Sequence, residues 1–167
     1  MFNIGDLVIY SAQGICRIDD ICEKNFQGNN KSYYVLHPVN NSKLEISIPV
    51  DNNKITMQEL IKRGEAEEIL ESFRYPGIDW IEINTMRNQV YSGIVKTGNR
   101  REISRVLNTL MREKNKVELN GKKFYEQDNK LLTSIQNILF SDLAMSFGTT
   151  AEIISEKING IISEQLY

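Results

Sequence analysis

The chain has 167 residues, 41% of them hydrophobic, with a net charge of −2. That is enough apolar material for one ordinary domain or two small ones. No stretch approaches the roughly 20 apolar residues of a spanning helix, and no basic segment leads into an apolar run at the N-terminus, which disfavours membrane insertion and secretion and leaves the cytoplasm as the expected location.

Leu7-Val8-Ile9-Tyr10 alternates behind a Gly5-Asp6 start, and Ile15-Cys16-Arg17-Ile18 resumes the pattern after a turn at Ser11–Gly14. Strands are predicted over 5–11, 14–24, 31–39 and 43–49, separated by turn clusters at Gln27-Gly28-Asn29-Asn30 and Asn40-Asn41-Ser42. A meander of this kind, twisted and partly closed, predicts a small SH3-like or Tudor-like β-barrel whose edges are open to strand addition. Cys16 and Cys22 stand six apart in the second strand, an even spacing that puts both on one face, too far apart to bridge.

After Pro49 the period changes. Thr56-Met57-Gln58-Glu59 has the form of a capping box for a short helix ending near Gly64, and a second short helix from Glu65 to Phe73 is expected to seal the barrel. Tyr75-Pro76-Gly77 marks the domain junction, dividing 1–74 from an all-helical 75–167. There Asp79 is read as the cap of a helix from Trp80 to Val95, and Asn99 begins the next. In that helix Ile103, Val106, Leu107, Leu110 and Met111 fall on one stripe, with Arg100, Arg101, Arg105 and Arg112 elsewhere. A connection over Val117–Gly121 precedes a long helix from Phe124 to Phe147 that buries Leu131, Leu132, Ile135, Ile138 and Leu139 and stops at Gly148. Thr149-Thr150-Ala151-Glu152 caps the last helix, whose apolar face is Ile153, Ile154, Ile158, Ile161, Ile162 and Leu166. The fold class is therefore α+β, a small barrel followed by helices.

Charge is divided along the chain. Residues 1–75 hold 8 Lys+Arg against 11 Asp+Glu, whereas residues 87–130 hold 11 against 5, so the two halves are expected to meet different partners. Arg87, Lys96, Arg100, Arg101, Arg105, Lys122, Lys123 and Lys130 form the basic segment. Either they bind phosphates, giving affinity without base specificity, or they make a solvated helix surface. Trp80, the chain's single tryptophan, is by residue type more often a core residue than a contact.

Catalytic constellations are missing. There is one histidine, no glycine-rich phosphate loop, no recognisable nucleophile and no paired carboxylates, and His37 has no Cys or His cluster around it for a metal. His37 reads as a strand-end residue with one hydrogen bond. No cofactor and no small-molecule substrate are expected.

The motifs Gly5-Asp6, Val8-Ile9-Tyr10, Gly14, Tyr34-Val35-Leu36 and Ile46-Ser47-Ile48-Pro49, in that order and spacing, resemble the CarD family of bacterial RNA-polymerase-binding transcription regulators, whose first domain also occurs in transcription-repair coupling factors. The likeness continues through Trp80, Ile138-Leu139 and Leu143-Ala144, so it covers nearly the whole chain. The resemblance implies a barrel that docks on the polymerase β subunit and a helical domain that meets promoter DNA at the upstream edge of the transcription bubble. It reverses the reading of Trp80, which matches the family's tryptophan that wedges into the minor groove. Lys24 occupies one position of the polymerase face, Ser47 stands where some members carry arginine, and Ile46 or Ile48, whichever points outward, would add apolar contact. The turn after Trp80 departs from the family, since Ile81-Glu82-Ile83-Asn84 replaces a basic segment. The expected function is a non-enzymatic regulator of transcription initiation, cytoplasmic and brought to the nucleoid by polymerase. The alternative is a protein–protein adaptor without DNA contact, in which Trp80 is core.

Overall fold

A computed structural model describes residues 1–10, 13–51 and 57–165. The chain divides into two compact units, Met1–Leu60 and Ile61–Tyr167.

The first unit is an antiparallel sheet of β1 (Leu7–Tyr10), β2 (Gly14–Phe26), β3 (Asn29–Pro38), β4 (Ile46–Pro49) and β5 (Met57–Glu59) in the order β4-β3-β2-β1-β5. β2 and β3 are joined by a two-residue turn in which Gln27 and Gly28 both have positive φ, 52° and 83°, the geometry that matches the twist of paired strands. Alternation buries Val8, Cys16, Ile18, Tyr34, Leu36 and Ile48 on one face.

Four expectations change here. A bulge between Ile18 and Asp20 shifts the alternation of β2, so Cys16 points into the core while Cys22 pairs with Tyr33 on the other face. β4 begins only at Ile46, because Asn41 folds the preceding residues into a turn: its side chain accepts the Lys43 N–H at 3.3 Å and its carbonyl accepts the Leu44 N–H at 3.3 Å. Met57–Glu59, placed in a capping box whose Thr56 lies outside the described residues, is instead a strand on the outer edge of β1, with Tyr10 opposite Met57. Finally, the described pairings leave β4 and β5 as the two edges of an open sheet.

The second unit contains α1 (Arg63–Ser72), α2 (Asn84–Lys96), α3 (Arg100–Leu119), α4 (Glu126–Phe147) and α5 (Ala151–Glu164). Asn99 caps α3 by accepting the Glu102 N–H at 3.2 Å, and Thr150 caps α5 by accepting the Ile153 N–H at 3.3 Å. Gly148, with φ of 66°, ends α4 as the sequence predicts, and the Thr149 N–H returns to the Ala144 carbonyl. α3 runs into the expected connection as far as Leu119 and is ended in the same way at Gly121, where the Lys122 N–H reaches the Val117 carbonyl at 3.0 Å.

The α3 stripe is buried as expected, Ile103 partly so. α1, expected to seal the barrel, belongs to the second unit. Its Ala66 and Ile69, with Phe73, lie in the helical core beside Leu107, Leu110 and Leu143. Ile138 and Ile153 are exposed because the apolar faces of α4 and α5 are wider than their neighbours cover, and Leu166 lies outside the described residues. Among the described residues, no helix is long and apolar enough to cross a membrane.

Candidate interaction surfaces

Trp80 is not on a helix. α2 starts at Asn84, and residues 74–83 form a connection whose backbone is held by side chains of α2 and α3. Asn108 Nδ2 donates to the Tyr75 carbonyl at 2.7 Å, Arg112 Nη2 to the Phe73 carbonyl at 2.8 Å, and Thr109 Oγ1 to the Ile78 carbonyl at 2.6 Å. Tyr91 Oη donates to the Asp79 carbonyl at 2.7 Å, and Arg87 Nη1 to the Ile81 carbonyl at 2.8 Å. Carbonyls that a helix beginning at Trp80 would use internally are thus engaged elsewhere, which is why it starts later. Gly77 is required, because a Cβ there would strike the Arg105 carbonyl oxygen and Thr109 Oγ1.

On this fixed connection Trp80 is half-buried. The Arg87 guanidinium carbon lies 4.1 Å from its ring centroid, and Tyr91 meets it edge-on at 6.3 Å. Arg87 is only 2% exposed and Asp128 3%. Arg87 Nε donates to both Asp128 oxygens at 3.0 and 3.1 Å, and Nη2 to Oδ2 at 2.5 Å. Burial pushes the Tyr91 hydroxyl above its ordinary range.

The basic segment therefore separates. Arg87 leaves the set of phosphate contacts because its donors are spent inside the fold. Arg100, mostly buried, ion-pairs with Asp142 at 2.9 Å. Arg101 is exposed but pairs with Glu68, Arg105 with Glu102 at 3.5 Å, and Lys130 with Glu126 at 3.7 Å. Lys96, Lys122 and Lys123 are exposed and enter none of the described ion pairs.

Sequence reasoning missed Asp128, Asn108, Thr109 and Tyr125. The only signal for the α3 pair is the interruption of an apolar stripe by buried polar residues. Tyr125 is 45% exposed, and its ring centroid lies 6.0 Å from the Arg87 guanidinium carbon.

On the sheet, the face opposite the core carries Lys24 from β2, Tyr33 and Val35 from β3 and Ser47 from β4. Lys24 Nζ donates to Ser47 Oγ at 2.8 Å and lies 5.8 Å from the Tyr33 ring centroid; Phe26 packs edge-on to that ring at 5.9 Å. Lys24 and Ser47 are thus brought together. Ile46 and Ile48 are not with them, since both point to the inner face and Ile48 is 3% exposed. His37 Nδ1 is 2.6 Å from an Asp19 carboxylate oxygen on the same outer face. Among the described residues no group of three or more His, Cys, Asp or Glu is placed to hold a metal ion.

Residues 2–61 match the CarD-like/TRCF RID domain family. Over 158 residues the chain is 27% identical to a Bacillus subtilis (strain 168) protein named "Putative transcription factor YdeB", an alignment covering 92% of this chain and 97% of that one.

Proposed function

We propose, from the premise that residues 2–61 are a CarD-like/TRCF RID domain, that this protein is a non-enzymatic regulator of transcription initiation. The sheet unit docks on the RNA polymerase β subunit through the outer face bearing Lys24 and Ser47. The exposed edge of β4 is available for strand addition there. The helical unit meets promoter DNA at the upstream edge of the transcription bubble, with Trp80 as wedge and Lys96, Lys122 and Lys123 as phosphate contacts. Arg101, Arg105 and Lys130 contribute where their exposed pairs open. A factor that grips the open complex better than the closed one populates the open state, and needs no cofactor to do so.

The observation that carries this reading is the half-buried Trp80 stacked on a buried guanidinium in a tied-down connection. A ring held in one orientation loses little freedom on contacting a distorted base step, so more of the contact energy is realised. The test is Trp80→Ala. It should cost less stability than the ~3–5 kcal/mol of truncating a fully buried tryptophan, keep polymerase binding, and shorten the lifetime of the open promoter complex. A larger stability loss with unchanged open-complex decay favours the adaptor. One observation favours that second reading: Ile83, Met86 and Val90 are exposed at the start of α2, an apolar strip that another protein would cover.

A further inference from the structure

We infer that Tyr125 is a second aromatic DNA contact, presented together with Trp80 by the buried Arg87 guanidinium, and that the two rings take unpaired or unstacked bases. The inference rests on the reading of the helical unit as DNA-contacting and adds a residue and a ligand preference to it.

Both rings approach the same guanidinium, at 4.1 Å for Trp80 and 6.0 Å for Tyr125, and both are partly open to solvent. Asp128 neutralises Arg87 and accepts its donors, so this cation holds rings and is not spent on phosphate. Tyr125 directly precedes α4, where the buried Phe124 anchors the segment and leaves Lys122, Lys123 and Tyr125 outside. The two lysines pair with no acidic side chain among the described residues. Phosphate-seeking ammonium groups next to a ring with an open face are the combination that binds nucleic acid with unstacked bases, because every base offers a π face. A fully paired duplex does not offer those faces.

The test uses the full chain and two labelled DNAs of one sequence, a complete duplex and one with a central unpaired bubble, with binding read by fluorescence anisotropy. The wild-type chain should prefer the bubble. Tyr125→Ala and Tyr125→Leu should each lower bubble affinity about tenfold and leave duplex affinity unchanged, while Tyr125→Phe, which keeps the ring, retains the preference. Thermal melts of all three should match wild type, since the side chain is 45% exposed. If Trp80→Ala weakens bubble binding and the Tyr125 variants do not, the inference is overturned while the DNA-contact reading stands. Equal loss on both DNAs, or a wild-type chain without bubble preference, also overturns the inference. If neither Trp80→Ala nor the Tyr125 variants alter DNA binding, the reading beneath it falls as well.

Discussion

Arg87 and Asp128, 41 positions apart in sequence, form a three-contact ion pair inside the helical unit that ties α2 to α4 while the same guanidinium stacks under Trp80. Burying two charges is costly in itself, but removing one partner costs more because the other is left without compensation. Asp128→Ala should therefore destabilise the helical unit by ~3–5 kcal/mol, with Asp128→Asn losing less because it keeps an acceptor. Denaturant unfolding followed by the emission of Trp80, the only tryptophan, measures both. A loss within ~1 kcal/mol for Asp128→Ala would contradict the role given to the pair.

Gly77 sits against α3 with no room for a methyl group: its added Cβ would lie 2.9 Å from the Thr109 backbone nitrogen and closer still to two oxygens. The neighbours are mainly backbone, which yields little. Gly77→Ala should cost ~1–3 kcal/mol and, by displacing the connection, change the emission of native Trp80. An unchanged melt and spectrum would show that the connection moves freely.

Asp142 accepts the Ile61 N–H at 3.1 Å and pairs with Arg100, yet burial pushes its carboxyl above the ordinary 3.8. A raised folded value means that the folded state binds the proton more tightly than the unfolded chain. The Asp142 contribution to stability is then fullest below about pH 3.8 and declines as pH rises through the raised value. The stability of wild type minus that of Asp142→Asn should accordingly fall with rising pH across the weakly acidic range. Denaturant melts at a series of pH values read this difference, and a rise would reverse the assigned sign.

Lys24 is held over the outer face of the sheet by Ser47 and the Tyr33 ring. Lys24→Glu should weaken binding to the polymerase β subunit, chiefly through slower association, while changing stability by less than ~1 kcal/mol. Surface-immobilised β subunit at physiological salt measures the rates. Equal affinity would remove Lys24 from the docking face.

Much of the local structure was legible in the sequence because it is fixed by neighbours in the chain. The α3 stripe from Ile103 to Met111, the caps at Asn99 and Thr150, the stop at Gly148 and the β2–β3 turn each depend on residues within one or two turns. Cys22 shows where that legibility ends: one extra residue at the Ile18–Asp20 bulge reverses every side chain after it, and only pairing with β3 fixes where the bulge falls. Met57–Glu59 fails for a related reason, since a distant edge on β1 outweighs a local helix signal.

The sequence by itself determined the order of a β half and an α half, the helical periodicities and the concentration of basic charge between residues 87 and 130. Tertiary structure alone decided which of those charges remain available. Arg87 and Arg100 carry the same formal charge as Lys122 and Lys123, but long-range packing sets carboxylates from α4 against the two arginines and leaves the two lysines in solvent. It also decided that Trp80 stands on a connection tied to α3 and not on a helix, because the partners that hold its backbone, Thr109 and Arg112 among them, come from sites about 30 or more residues away, beyond the reach of any local pattern.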